Sequence, residues 1–379
     1  MAETDASTSR GVFRLHVLQA KFGDCLVLEF GTTGAPRFML IDGGPQGTYE
    51  AHLRPFLQKL AADGHGLELA MLSHVDNDHV SGLLDLFSEL RTQSEGGEPP
   101  LVRLGSLWHN SFFQGPSDRQ VEPALRAALA MAAPESAVAG HLGAILNGVS
   151  EGNRLRLLCE LVKIPLNPGF SDGEIVTDTA QPFSMENLRL RVIGPSRRNL
   201  DQLRVEWLEW LDKHADEIGR ERPLSVQADR SIPNLSSIAV LAEAAGKSIL
   251  LTGDARGDHL LNGLEDAALL APGGRLHVSV LKLPHHGSAR NITREFFERV
   301  TADTYVVSAD GRNGNPDLDP LLWLVDAARA DQREIEIVIT NETPSTQKLV
   351  ASRSPRTSGY ALRTLARGKS LVTVTLADG

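Results

Sequence analysis

Cysteine is scarce in this chain: Cys25 and Cys159 are the only two in 379 residues, and neither has CxxC spacing. That argues against a disulfide framework and against a thiolate zinc site. Long apolar runs are missing as well. No stretch approaches the ~18 residues of a membrane span, and the opening segment MAETDASTSR has no apolar core of the kind a signal peptide needs. A soluble, cytoplasmic protein with no membrane partner is expected. Positive charge is also not in excess. Lys and Arg number 38 against 48 Asp and Glu, a net charge of −10, with a pI near 5.7. Nonspecific duplex binding depends on counterion release by clustered cations. Any nucleic-acid substrate therefore needs a local basic groove, or bound metal ions, to offset the acidic surface. This argues against a processive DNA binder but not against a phosphodiesterase acting on short substrates.

What is present is ordinary globular composition, 41% hydrophobic and 23% charged, and a length that fits one large α/β domain or two. Residues 11–44 read as two or three strands separated by Gly-rich turns, with a helix over 49–62 and a short apolar strand over Leu67–Leu72. Strand patterns recur at 104–108, 188–193, 238–241, 248–252, 276–283, 304–308 and 335–339. Helical patterns recur at 293–300 and 318–329, and a final strand pair is expected over 360–376. Two stretches break the alternation: an Ala/Leu-rich helical insertion at about 116–163, and a second insertion at about 199–230. A single domain spanning 1–379 with two insertions accounts for this pattern.

The chemistry concentrates in Ser73-His74-Val75-Asp76-Asn77-Asp78-His79. Two imidazoles and two carboxylates lie within six residues where a strand gives way to a helix. These are ligand types for divalent first-row metals. His74 and Asp76 alternate along a loop and can point the same way. Asp78 and His79 open a helix, where Asp78 also suits the N-terminus as a capping carboxylate. Three further segments sit at strand C-termini, where open α/β sheets place ligands. Thr252-Gly253-Asp254 offers a carboxylate able to bridge two metals. Pro284-His285-His286-Gly287-Ser288 offers adjacent histidines; which one coordinates does not follow from sequence, and His286 is preferred. Asp42-Gly43-Gly44 reads either as a turn or as a carboxylate that hydrogen-bonds a ligand imidazole. His109, at the end of a strand expected beside the motif strand, is a further candidate ligand or a satisfied strand-end histidine. His141, inside the helical insertion, reads as structural.

In this order, LIDGG, SHxDxDHxxGL, NxSS…LLTGD and LKxPHHGS resemble the metallo-β-lactamase fold. More narrowly they resemble the nuclease domain of ComEC-type competence proteins and their stand-alone soluble relatives. FGDCLVLEF (22–30) is similar to the Gly-Asp turn of that group. The resemblance implies an αββα four-layer sandwich of two sheets flanked by helices, an α/β (α+β) fold. It also implies that His74, Asp76, Asp78, His79, Asp254 and one of His285 and His286 are metal and catalytic positions. Two departures matter. The commonest motif of the superfamily has histidine where Asp76 stands, and an oxygen ligand hardens the site, shifting the expectation from zinc toward manganese, with magnesium also allowed. Gly314-Asn315-Pro316 stands where the ComEC-like group usually carries Gly-His-Pro, so a weaker ligand occupies the far side.

The expected function is phosphodiester hydrolysis by a hydroxide activated at two divalent ions. His74 and Asp76 would hold one ion and Asp78 and His79 the other, with Asp254 bridging. His285 or His286 would complete a coordination sphere or protonate the leaving oxygen. Lys282 could balance charge beside the His pair or face solvent, and Lys282, Ser288, Asn291, Asn315 and Asn234 are candidates for substrate contact. Two alternatives stand beside this one. The same site could cleave a carboxylic ester, lactone or thioester, or the chain could be a weakened binding or signalling module with the helical insertion as a surface for a protein partner.

Overall fold

The structure is a computed structural model that describes residues 11–110, 151–170, 173–178, 180–202 and 236–378. Most of both expected insertions falls outside these residues, as do Asn234 and His141. Two mixed sheets face each other. The first has six strands in the order β14-β1-β2-β3-β4-β5, the second eight in the order β13-β12-β11-β10-β9-β8-β7-β6. The first is built from β1 (Gly11–Leu18), β2 (Leu26–Thr32), β3 (Ala35–Ile41), β4 (Leu67–Leu72), β5 (Leu107–His109) and β14 (Leu371–Asp378). The second is built from β6 (Phe183–Met185), β7 (Leu188–Gly194), β8 (Ala239–Ala244), β9 (Lys247–Leu251), β10 (Leu276–Lys282), β11 (Val300–Val307), β12 (Ile335–Ile339) and β13 (Tyr360–Thr364).

Period-two side-chain alternation divides each strand between two cores. Along β4, Leu69 and Met71 enter the core between the sheets, where they share a cluster with Ile249, Leu251 and Val280. Ala70 and Leu72 point the other way, into a cluster with Leu57, Leu60, Leu83 and Phe87 of the helices α1 (Arg54–Ala62) and α2 (Asn77–Gly96). The second sheet repeats the logic. Val306 and Val338 face inward, while Tyr305, Val307 and Ile337 pack against Leu260, Phe296 and Leu324. Those three belong to α3 (Gly257–Asp266), α4 (Arg294–Arg299) and α5 (Leu318–Ala330). The result is four layers, helix–sheet–sheet–helix, around three apolar clusters. Among the described residues no helix is long and apolar enough to cross a membrane.

Two elements differ from the sequence reading. The strands expected to pair over 360–376 do not pair with each other. β13 lies parallel to β12 in the second sheet, and β14 lies antiparallel to β1 in the first, so the chain crosses between sheets at the turn between them. Periodicity marks a strand but not its neighbour. The helix expected over 293–300 ends at Arg299, and β11 begins at once with Val300. Val300, Thr301 and Ala302 are held in extended form by parallel pairing with Leu276, His277 and Val278.

The connections that matter leave one end of the sandwich. β3 delivers Asp42, β4 delivers Ser73 and the motif, β9 delivers Gly253 and Asp254, and β10 delivers the His285-His286 turn. Close backbone approach locks the first two together. Gly43 donates its N–H to His79 O at 2.7 Å, and a Cβ on Gly82 would stand 2.0 Å from Gly43 O. Only glycine at 82 lets the start of α2 sit on the Asp42 turn.

Candidate metal centre

Four imidazoles and one carboxylate define the centre. Nε2 of His74, His285 and His286 lies 3.7, 3.7 and 3.6 Å from Asp254 Oδ2, and Nε2 of His79 lies 3.4 Å from Asp254 Oδ1. Asp76 Oδ2 is 3.6 Å from His74 Nε2. Asp78 Oδ2 is 3.8 Å from His79 Nε2 and 3.3 Å from His286 Nε2. Nε2 of His74, His79 and His286 makes no hydrogen bond across these separations. They match the edge of a coordination tetrahedron, about 3.4 Å for bonds of about 2.1 Å.

The opposite edge of each ring is already engaged, which fixes the tautomers. His79 Nδ1 donates to Asp42 Oδ2 at 2.8 Å. His286 Nδ1 donates to the carbonyl of Ser308 at 2.9 Å, and His285 Nδ1 donates to Asn291 Oδ1 at 2.7 Å. Ser73 Oγ donates to Asp42 Oδ2 at 2.7 Å, so toward His74 Nδ1, 3.1 Å away, it can only accept. In each neutral ring the lone pair is therefore on Nε2, facing Asp254. The Nε2 atoms of His74, His79 and His286 and Oδ1 of Asp254 are buried without a hydrogen-bond partner. Buried polar atoms are almost always paired, so this convergence of orphaned lone pairs fits a bound cation.

The electrostatics agree. Burial raises the cost of charging His286, but the carboxylates of Asp254 and Asp24 outweigh it and push the ring up to about 10. His79 is raised well above its ordinary value against the same burial penalty, by Asp254, Asp42 and Asp78. Burial acts to raise Asp254, yet the surrounding imidazoles hold it well below the usual carboxylate range, and Asp78 is lowered in the same way. Without a metal, the centre binds protons where cations would go.

Local backbone serves the geometry. His285 and His286 both take left-handed φ, 46° and 54°. This is costly for non-glycine residues and is found where function over-determines the backbone. The turn is held by His285 N donating to Gly253 O at 3.1 Å. Gly253, at φ 50°, has no room for a Cβ, which would stand 2.6 Å from Ser237 Oγ. That hydroxyl in turn accepts from Asp254 N at 2.9 Å.

The structure thus brings together His74, Asp76, Asp78, His79, Asp254, His285 and His286, with Asp42 behind His79. The other described candidates meet partners within the chain. Lys282, Ser288 and Asn291 are suggested for substrate contact by sequence, but all three are buried. Lys282 is ion-paired with Asp24. Asn291 spends its amide on His285 and on Asp254 O at 3.3 Å, and Ser288 lies under the turn, its N–H donating to His285 O at 2.9 Å. Asn315, half-buried, donates to the carbonyl of His285 at 3.4 Å, so it supports the turn's backbone. His109 ends β5 opposite Leu72, as its place beside the motif strand implies. Its ring packs against Gly152, however, and burial holds it neutral with its pKa down at about 4.

Asp24 is the residue that sequence reading leaves out of the site. It lies in the FGDC turn between β1 and β2 and is 1% exposed. It can offer a ligand atom within 4.8 Å of those from His79, Asp254 and His286, a buried group of two histidines and two aspartates able to hold a divalent metal. The signal was the glycine-aspartate turn itself, which marks a backbone constraint but not a destination. Neither a scan of protein-family models nor a search of curated proteins finds a match for this chain.

Proposed function

We propose that the protein is a metallo-β-lactamase-fold phosphodiesterase of the kind found in the nuclease domain of ComEC-type competence proteins. A metal-dependent hydrolase follows from the buried His/Asp cluster within an αββα sandwich. The observation that carries the reading is the convergence of four imidazole Nε2 atoms on the two oxygens of Asp254. Asp76 lies beside His74, and Asp78 beside His79 and His286. These residues would hold two divalent cations, manganese or zinc, with the carboxylates of Asp76, Asp78 and Asp254 favouring the harder ion. Charge supports the number: Asp24, Asp42, Asp76, Asp78 and Asp254 with Lys282 leave four negative charges, which two divalent cations offset.

Bound there, the cations supply Lewis acidity toward a phosphoryl oxygen and an activated water. The chain's own residues do the rest. Asp42, Ser308 O and Asn291 fix which nitrogen of each imidazole is available. His286, nearly sealed from solvent, serves as a ligand. His285 is 26% exposed at its side chain, and its Nε2 lone pair would take a proton from water and pass it on to a leaving oxygen. A phosphodiester is favoured over a carboxylic ester by the surroundings. Lys21, Arg290 and Arg312 are exposed on the segments that carry Asp24, the His pair and Asn315, and the Arg312 guanidinium lies 4.4 Å over the Phe22 ring. The whole chain is read as one catalytic domain interrupted by two insertions, acting in the cytoplasm.

The test is hydrolysis of single-stranded DNA, RNA, cyclic nucleotides and an aryl phosphodiester with manganese or zinc, by wild type and Asp78→Ala. Turnover lost in the variant is expected, by at least about a thousandfold if an essential ligand is removed. Cleavage of aryl esters or lactones but no phosphodiester would overturn the substrate class. Equal activity in both proteins would overturn the site.

A further inference from the structure

Asp24 admits two roles, ligand or support, and its surroundings separate them. The carboxylate and the Lys282 ammonium are each 1% exposed and are ion-paired through Asp24 Oδ2. The second oxygen, Oδ1, has no hydrogen-bond partner and lies 3.6 Å from His286 Nδ1. That is the edge of the ring whose N–H is given to Ser308 O at 2.9 Å. Nε2, the nitrogen that faces Asp78 at 3.3 Å, is on the far edge. The turn carrying Asp24 is tied to the same elements. Ser308 Oγ donates to Gly23 O at 2.6 Å, and Asp24 N donates to Asp78 O at 3.2 Å.

We propose that Asp24 and Lys282 form a buried charged brace that positions His286, and that Asp24 is not itself a metal ligand. The inference rests on the metal-centre reading above. A carboxylate beside Nδ1 stabilises the Nδ1–H form of the ring and so holds the lone pair on Nε2, as outer partners of ligand histidines do. A divalent cation on Asp24 would instead stand near the ammonium that shares the same carboxylate. Like charges at such separations repel strongly in a buried setting. Lys282 also answers why an extra buried aspartate is tolerated. Unpaired, it would add to a centre already crowded with carboxylates, whereas paired it is neutral. β10 supplies the cation of the brace and leads into the ring it positions, since Lys282 is its last residue and His286 lies in the turn that follows.

The experiment compares full-length wild type, Asp24→Asn, Lys282→Met and the double variant Asp24→Asn/Lys282→Met. Zinc stoichiometry is measured by elemental analysis, cobalt affinity by chelator competition, and ligand number by the visible spectrum of the cobalt form. Asp24→Asn alone leaves an ammonium beside His286 and is expected to weaken cobalt binding by about 10–100-fold. The double variant, free of the unpaired ammonium but without the brace, is expected to recover part of that loss, with the same stoichiometry and spectrum as wild type. One ion fewer in the double variant, or a changed spectrum, would overturn the proposal and make Asp24 a ligand. Unchanged affinity in Asp24→Asn would also overturn it. Wild type supplies a reading that needs no variant: nitrogen-15 imidazole spectra of the zinc form should show His286 protonated at Nδ1 and metallated at Nε2, and metal on Nδ1 would overturn the brace. Wild type that binds no zinc or cobalt at all refutes the metal-centre reading itself, a distinct result.

Discussion

Asp42 and His79 are joined by a 2.8 Å hydrogen bond from ring Nδ1 to Oδ2, and the same carboxylate accepts from Ser73 N and Ser73 Oγ, each at 2.7 Å. One buried aspartate therefore orients His79 directly and, through Ser73, His74. Asp42→Ala strips the acceptor from three buried donors, each costing about 1–3 kcal/mol when left unmade. It should lower metal affinity by about 10–100-fold and reduce the denaturation midpoint of the metal-free protein. Asp42→Asn keeps one acceptor oxygen and should fall between. Chelator competition on the three proteins checks this; equal affinities would remove Asp42 from the support of the centre.

Metal binding should expel protons. In the metal-free protein, burial disfavours the charged rings, yet Asp254 and its neighbours hold His286 up at about 10 and His79 well above its ordinary value. A cation needs the neutral nitrogen, so at pH 7 each of these rings must give up its proton. Apparent affinity should climb with pH until about 10, the folded value for His286. The sign for folding is opposite. With folded values above the unfolded one of about 6.5, the stabilisation is complete below about pH 6.5 and is lost as pH rises through the folded value. The metal-free protein should thus weaken between pH 7 and 10 while the loaded form does not. Titration calorimetry in buffers of different ionisation enthalpy counts the protons, and a count of zero would contradict the arrangement.

Much of this centre is legible in the sequence because its ligands are local. His74, Asp76, Asp78 and His79 lie within one strand-to-helix junction, and chemistry at that spacing is recognisable without a partner. Asp254 and His286 are legible because each follows an apolar strand. Asp24 is not, because its meaning depends on β1 and β2 meeting the far end of β10, a contact between residues 24 and 282 that no local pattern records. The partner of Lys282 is hidden for the same reason: a lysine at a strand end ordinarily faces water, and only the buried carboxylate opposite reverses that. The sheet assignment of β14 was hidden likewise, since alternation reports a face and never a neighbour.

Gly82 offers a test of the scaffold. A methyl group there would stand 2.0 Å from Gly43 O, far inside contact distance, so α2 must shift off the Asp42 turn. Gly82→Ala gains helix propensity worth about 1 kcal/mol, but the clash should outweigh it, with a net loss of about 1–3 kcal/mol. Since Gly43 N also donates to His79 O at 2.7 Å, metal affinity should fall together with stability. Urea denaturation and cobalt titration of the same protein measure both. A variant as stable as wild type would show that the helix does not bear on the turn.

Acid sensitivity should trace in part to His109, at the end of β5. Burial pushes its pKa down to about 4, a hydrogen bond with the Gly152 backbone opposes this, and Arg156 adds to it. The unfolded ring takes up a proton near 6.5, so the folded state loses stability as pH falls from about 6.5 toward 4, by up to about 3 kcal/mol. Asp78 and Asp254 act in a lower window. Burial raises them but the imidazoles win, so their folded values lie below the ordinary one. The stability they add is present above about pH 4 and lost as pH falls through those depressed values. The two windows separate the causes. His109→Gln, which keeps a polar group beside Gly152 but cannot titrate there, should flatten the stability profile between pH 6.5 and 4.5 and leave the steeper loss below pH 4 in place. Urea midpoints across that range decide it, and an unchanged slope in the variant would assign the acid sensitivity to other groups.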